Sequence, residues 1–159
     1  MVFIDTNVWV YALSGQDNAK RGIAIDLIAK SFRNDAICVS SQVLKEFANF
    51  AFKKTEKTAA QINAMLSKIA SYGFVADTTE LVFAGVAGKE EWQVGFYDAL
   101  IIAAANKAGC SVLYTEDLND GQVYGDVLAV NPFRAPLRPK PSSDIVAIVA
   151  SSKSSQASN

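Results

Sequence analysis

The sequence predicts an α/β fold: a three-layer α/β/α sandwich built on a mostly parallel central sheet of roughly five strands. Three observations carry that expectation. Short β-branched or aromatic runs alternate with longer segments of helical period from Val2 to about Phe133. The chain has 159 residues, the length of one ordinary domain with a core of its own. Hydrophobic residues at 50% and charged residues at 19% describe a globular chain, not a disordered or fibrous one. Strands linked through helices pair in parallel, with right-handed crossovers and both sheet faces covered.

The first strand is read at residues 2–4. Ile23, Leu27, Ile28 and Phe32 then mark one amphipathic helix, the second strand lies at 37–39, and Val43, Phe47, Phe50 and Ala51 mark another helix. Thr58 with Gln61 reads as a capping box opening the stripe Ile62, Met65, Leu66 and Ile69, with Gly73 as the stop. A third strand follows at 74–76. The last major helix begins close to Asp98, is apolar from Ala99 to Ala105 and so buried nearly all round, and ends at Gly109; strands at 112–114 and 127–130 complete the sheet. All four prolines, Pro132, Pro136, Pro139 and Pro141, precede a Ser-rich end. The domain is therefore expected over 1–134, and 135–159 as a Pro/Ser-rich, mostly mobile tail with one short apolar patch at 145–150.

Composition excludes whole classes of chemistry. The chain has no histidine, which removes Ser-His-Asp and Cys-His catalysis and histidine-ligated zinc. Two cysteines, Cys38 and Cys110, are too few for a four-thiolate zinc site and argue against a disulfide framework. Fifteen Lys and Arg against sixteen Asp and Glu leave a net charge of -1, so any nucleic-acid site must be local. Residues 1–5 carry no basic leader and place Asp5 where a signal peptide would be apolar, and no apolar run reaches the roughly 18 residues of a membrane span. A soluble protein of the reducing cytoplasm is expected.

What remains is carboxylate chemistry. In a parallel sheet, ligands bind outside the carboxyl ends of the strands. Asp5 directly follows the first strand, Glu46 lies in the second turn of the helix after the second, Asp98 opens a crossover helix, and Asp117 follows the fourth strand. Each has a plainer use. Asp5 could cap the next helix, and Glu46, on an apolar stripe, could sit in a buried ion pair. Asp98 could be a first-turn acid favoured by the helix dipole, and Asp117 could be ordinary turn chemistry. Together, four carboxylates at one edge repel and raise one another's pKa unless something positive lies among them. A hard divalent cation, Mg²⁺ or Mn²⁺, is the simplest such partner, and with phosphate oxygens it suits phosphodiester hydrolysis.

The set Phe3-Ile4-Asp5-Thr6-Asn7, Leu44-Lys45-Glu46-Phe47, Tyr97-Asp98-Ala99-Leu100-Ile101 and Thr115-Glu116-Asp117 closely resembles the PIN domain, notably the toxin nucleases of VapBC-type toxin-antitoxin pairs. The order and spacing agree from Val2 to about Phe133. The resemblance implies a Mg²⁺- or Mn²⁺-dependent endoribonuclease with Asp5, Glu46, Asp98 and Asp117 as its acidic cluster. It also implies Asp5, Asp98 and Asp117 on the metal, and Asn7 and Thr115 in support. It further implies a homodimer silenced by a small antitoxin protein. The tail after Pro136 departs from the family's compact ending.

An acidic cluster cannot hold RNA alone. Lys45, Lys53, Lys54 and Lys57 form the best local cationic group, with Lys20, Arg21 and Arg33 next, although a solvated helix face is an equal reading for each lysine. Two alternatives stay open. A phospho-accepting receiver domain would need an acidic pair after the first strand, where Asp5 stands alone. An inactive PIN-like scaffold would keep the fold without the activity.

Overall fold

The structure is a computed structural model that describes residues 1–15, 17–34 and 37–134. The tail expected over 135–159 lies outside the described residues. The chain opens with β1 (Val2–Ile4), α1 (Thr6–Leu13) and α2 (Asn18–Arg33). It returns through β2 (Ile37–Ser40), α3 (Ser41–Lys54), α4 (Ala59–Ile69) and β3 (Phe74–Val75). Two helices, α5 (Thr79–Trp92) and α6 (Phe96–Lys107), lead to β4 (Val112–Tyr114), and β5 (Val123–Tyr124) and β6 (Val127–Val130) follow.

The strands lie in the order β3-β2-β1-β4-β6-β5. All neighbours pair in parallel except β5, which runs antiparallel to β6. The first two crossovers step one way across the sheet, and the third turns back to land on the other side of β1. With right-handed connections, that reversal moves the linking helices to the opposite face. Helices α1 to α4 accordingly pack among themselves, and α5 packs along α6. This is the expected three-layer sandwich, with six strands in place of five. The additional strand, β5, is two residues long and joined to β6 by a two-residue turn in which Gly125 has φ 64°.

The central strands are buried because both faces are covered: Phe3, Ile4, Val39 and Leu113 are fully inaccessible, and β2 is buried along its whole length. Each such side chain contributes about 1.5–3 kcal/mol of burial. The capping box forms as expected, Gln61 N–H donating to Thr58 Oγ1 and Thr58 N–H to Gln61 Oε1. Gly109, at φ 66°, closes α6: Cys110 N–H reaches Ala105 O and Gly109 N–H reaches Asn106 O.

Gly73 has a different task from the helix stop expected of it. Helix α4 is capped by Ala70 in ordinary right-handed geometry, whereas a Cβ on Gly73 would lie 2.7 Å from the Ile37 carbonyl oxygen. The glycine lets the chain pass close over β2. Helix α5 is not announced by periodicity, since its buried positions are Leu81, Gly85 and Gly88. A Cβ on Gly85 would stand 2.4 Å from Leu100 Cδ2, so small residues set the close approach of α5 and α6.

Candidate active site

The reversal in strand order leaves the carboxyl ends of β1 and β4 side by side, with the segments that follow them diverging. Such a switch point opens a crevice at the sheet edge. Asp5 begins it. Its backbone N–H extends the ladder to Tyr114 O at 3.0 Å. Its two carboxylate oxygens divide their work: Oδ1 accepts from Thr6 N–H at 2.6 Å and caps α1, while Oδ2 accepts from the Thr115 hydroxyl at 2.7 Å and from Asn7 Nδ2 at 3.2 Å. Capping and site-building are thus properties of one side chain.

Asp5 is only 8% exposed. Burial pushes its pKa up to about 6; the Thr115 and Thr6 hydrogen bonds oppose this, and the charges of Asp117 and Glu46 add to it. Thr115, itself buried, accepts from Asp117 N–H and from Asn7 Nδ2, each at 3.2 Å. The same Asn7 nitrogen reaches Asp117 Oδ2 at 3.0 Å. One amide therefore spans Asp5, Thr115 and Asp117, while its oxygen, Oδ1, is buried with no partner among the described residues.

Glu46 reaches the crevice from α3. Its Oε2 accepts from the Thr6 hydroxyl at 2.6 Å and its Oε1 from Gln42 Nε2 at 2.9 Å. The alternative of a buried ion pair is not what forms: Glu46 is exposed, and the ion pairs among the described residues are Lys20–Glu116, Lys45–Asp77 and Arg134–Asp120. Asp98 sits in the first turn of α6. Burial and then the charge of Asp117 raise its pKa, the Gly95 backbone N–H lowers it, and Glu46 raises it further. A Cβ on Gly95 would lie 2.8 Å from Asp98 Oδ2, so glycine makes room for the carboxylate.

All four expected acids thus meet at one edge and act on one another. The cations do not gather there in the same way. Lys45 is paired with Asp77. Lys53 and Lys54 occupy the last turn of α3 and Lys57 lies beyond it, with Lys53 and Lys54 about 10–12 Å of helix axis from Glu46. Lys20 donates to Glu116 and to Tyr11 Oη at 2.8 Å, and stands 4.4 Å from the Tyr11 ring centroid. Phe133 packs edge-on against the same ring. Two residues around the acids are additions to the sequence reading, Thr6 and Gln42, whereas Lys20, read as a second-rank cation for RNA, is paired with Glu116. Only Gln42 carried a usable signal, its spacing of four before Glu46 on one helix.

Among the described residues, no three carboxylates or thiolates close on one point as a ready-made ligand set. The donors present still suit a hard divalent ion. They are all oxygen, they repel one another, none of the four is paired with Lys or Arg, and a buried amide oxygen of Asn7 lies unpartnered beside them. Mg²⁺ is commonly held by one or two carboxylates and keeps several waters.

The PIN domain family model matches residues 2–124 of this chain. The chain belongs to the PIN domain family. No curated protein matches it. Among solved structures, this PIN domain is similar to VapC20 of Mycobacterium tuberculosis, described as a toxin cleaving the sarcin-ricin loop. The two are 21% identical with a TM-score of 0.57, over 74% of this chain and 90% of that one. It is also similar to a toxin-antitoxin complex from Klebsiella pneumoniae, at 19% identity and a TM-score of 0.63 over 85% of this chain and 100% of that one. VapBC2 of Rickettsia felis, solved with a fragment of promoter DNA, matches at 20% identity and a TM-score of 0.58 over 81% and 97% of the two chains. At these identities the likeness shows a shared fold. No helix among the described residues of the PIN domain is long and apolar enough to cross a membrane.

Proposed function

We propose that residues 1–134 form a Mg²⁺- or Mn²⁺-dependent endoribonuclease, the toxin of a toxin-antitoxin pair. The observation that carries this reading is the set of four interacting carboxylates at the switch point, Asp5 nearly buried among them and none paired with a cation. Solved neighbours described as a sarcin-ricin-loop-cleaving toxin and as a toxin-antitoxin complex support it.

Asp5, Asp98 and Asp117 would hold the ion, with Asn7 and Thr115 fixing the first and third of these. When bound, a divalent ion polarises the phosphate and offsets its charge. Glu46 keeps a different position. It hangs from Thr6 and Gln42 on an exposed turn, where its carboxylate can take a proton from water as the water oxygen bonds to phosphorus. The bond from phosphorus to one ribose oxygen breaks, and that oxygen leaves with a proton from solvent. Lys45, Lys53, Lys54 and Lys57 would contact the RNA, Lys45 beside Glu46 and the other three at a distance from the scissile bond.

The same reading supplies partners. An apolar groove of about 570 Å³ between α1, α2 and α4, lined by Trp9, Leu13, Ile25, Phe32 and Met65, suits an antitoxin helix. Phe83 and Val86 on α5 are exposed and suit a homodimer contact. The cytoplasm follows as the compartment of its RNA.

The test is incubation of a mixed RNA pool with the antitoxin-free protein in Mg²⁺, Mn²⁺ or EDTA, alongside Asp98→Asn. Cutting that needs metal and is lost in the folded variant supports the proposal. Absence of cutting in both metals across a broad pool leaves an inactive scaffold.

A further inference from the structure

Beside the acid cluster, the N-terminal ends of α3, α5 and α6 enclose a small crevice of about 90 Å³ lined by Ser40, Gln42, Lys45, Asp77, Tyr97 and Leu100. Two polar atoms at this crevice lack partners. Ser40 stands at the N-cap of α3 and makes no capping bond; it is 1% exposed and its Oγ is unpartnered among the described residues. Gln42 Oε1 is buried and equally unpartnered. The amide cannot simply be turned over, because its nitrogen faces two acceptors, Glu46 Oε1 at 2.9 Å and Tyr97 O at 3.4 Å. Buried polar atoms left without hydrogen bonds lower stability unless a ligand or water supplies the partner.

The remaining lining fits one kind of ligand. Tyr97 is 67% exposed, an aromatic face offered at the mouth. Leu81, Val82 and Leu100 give an apolar wall, and the Lys45–Asp77 ion pair adds a donor and an acceptor at the rim. Gln42 joins this crevice to Glu46 through a single hydrogen bond, so a molecule seated here adjoins the phosphate site. We infer that the crevice is a nucleobase subsite for the nucleotide flanking the scissile phosphate, an inference that rests on the ribonuclease reading. The volume admits the edge of a ring and not a whole nucleotide. At the rim, where a base can reach, the Asp77 carboxylate accepts and Lys45 donates. Of the four RNA bases guanine matches best, presenting N1–H and the 2-amino group beside O6.

The full chain, isotope-labelled, would be titrated with GMP, AMP, CMP and UMP while the Gln42 side-chain amide and the Tyr97 signals are followed by NMR. GMP is expected to move both in a saturable way, more tightly than UMP, and to bind about three- to tenfold more weakly to Ser40→Ala. In a random RNA pool the wild-type cuts should favour guanine at one flanking position, and the preference should fade in Ser40→Ala and in Tyr97→Ala. Silence at Gln42 and Tyr97 with all four nucleotides would overturn the subsite, as would an unchanged base profile in both variants. GMP shifts at the crevice in a wild-type protein that cuts no RNA would count against the ribonuclease reading and not against the crevice.

Discussion

Thr115 donates its hydroxyl proton to Asp5 Oδ2 across 2.7 Å, tying the residue after β4 to the residue after β1. Thr115 Oγ1 in turn accepts from Asn7 and from the Asp117 backbone, so a single hydroxyl orders three members of the site. Thr115→Val keeps the shape and removes all three bonds. Urea unfolding should show a loss of about 1–3 kcal/mol, with metal-dependent cleavage reduced more than the loss of folded protein accounts for.

Asp5 makes stability depend on pH in an unusual direction. Its pKa rises from 3.8 to about 6 on folding, so between those values the folded state binds more protons than the unfolded one. Stability therefore falls as pH rises through this window, by on the order of 3 kcal/mol at most. Asp98, raised in the same sense, adds to the slope. Thermal melts in EDTA should give a higher midpoint near pH 4.5 than near pH 7.5, and Mg²⁺ should recover the difference. Asp5→Asn should flatten the profile without raising stability, because its amide nitrogen must then face a donor.

Thr6 holds Glu46 through a 2.6 Å bond at an exposed position. Thr6→Val should leave unfolding within about 0.5 kcal/mol while slowing cleavage about tenfold. An unchanged rate would remove Glu46 positioning from the mechanism.

Lys20 spends its charge on Glu116, next to Asp117, and lies against Tyr11 and Phe133. With the lysine side chain 30% exposed, solvent limits the pair to about 1 kcal/mol. Lys20→Met should accordingly cost little stability yet speed amide exchange at residues 115–118, the readout of a loosened turn.

The legibility of this chain follows from what each pattern records. Strands β1, β2 and β4 are short apolar runs because both sheet faces cover them, and the Thr58–Gln61 pair states a helix start outright. Helix α5 hides its buried face in Gly85 and Gly88, which pack well and carry no hydrophobic signal. Strand β5 is too short for periodicity, although Gly125-Asp126 between β-branched and aromatic residues is hairpin chemistry. The acids could be placed by their distance from strand ends. Their orienting partners could not, since Thr6 meets Glu46 from 40 residues away and Lys45 finds Asp77 across 32. A lysine's position in the sequence says that it is charged, not which acid claims it.

The reversal in strand order also sets a timetable. Strand β1 is made first yet lies in the middle of the sheet, and its neighbour β4 is made only after α5 and α6. Asp5 must wait 110 residues for Thr115. Long-range closure of this kind comes late in folding, and a chain on the ribosome cannot complete it early. Under the ribonuclease reading, the emerging polypeptide is harmless to the messenger that encodes it. On that reading, activity begins only after the last crossover has left the exit tunnel.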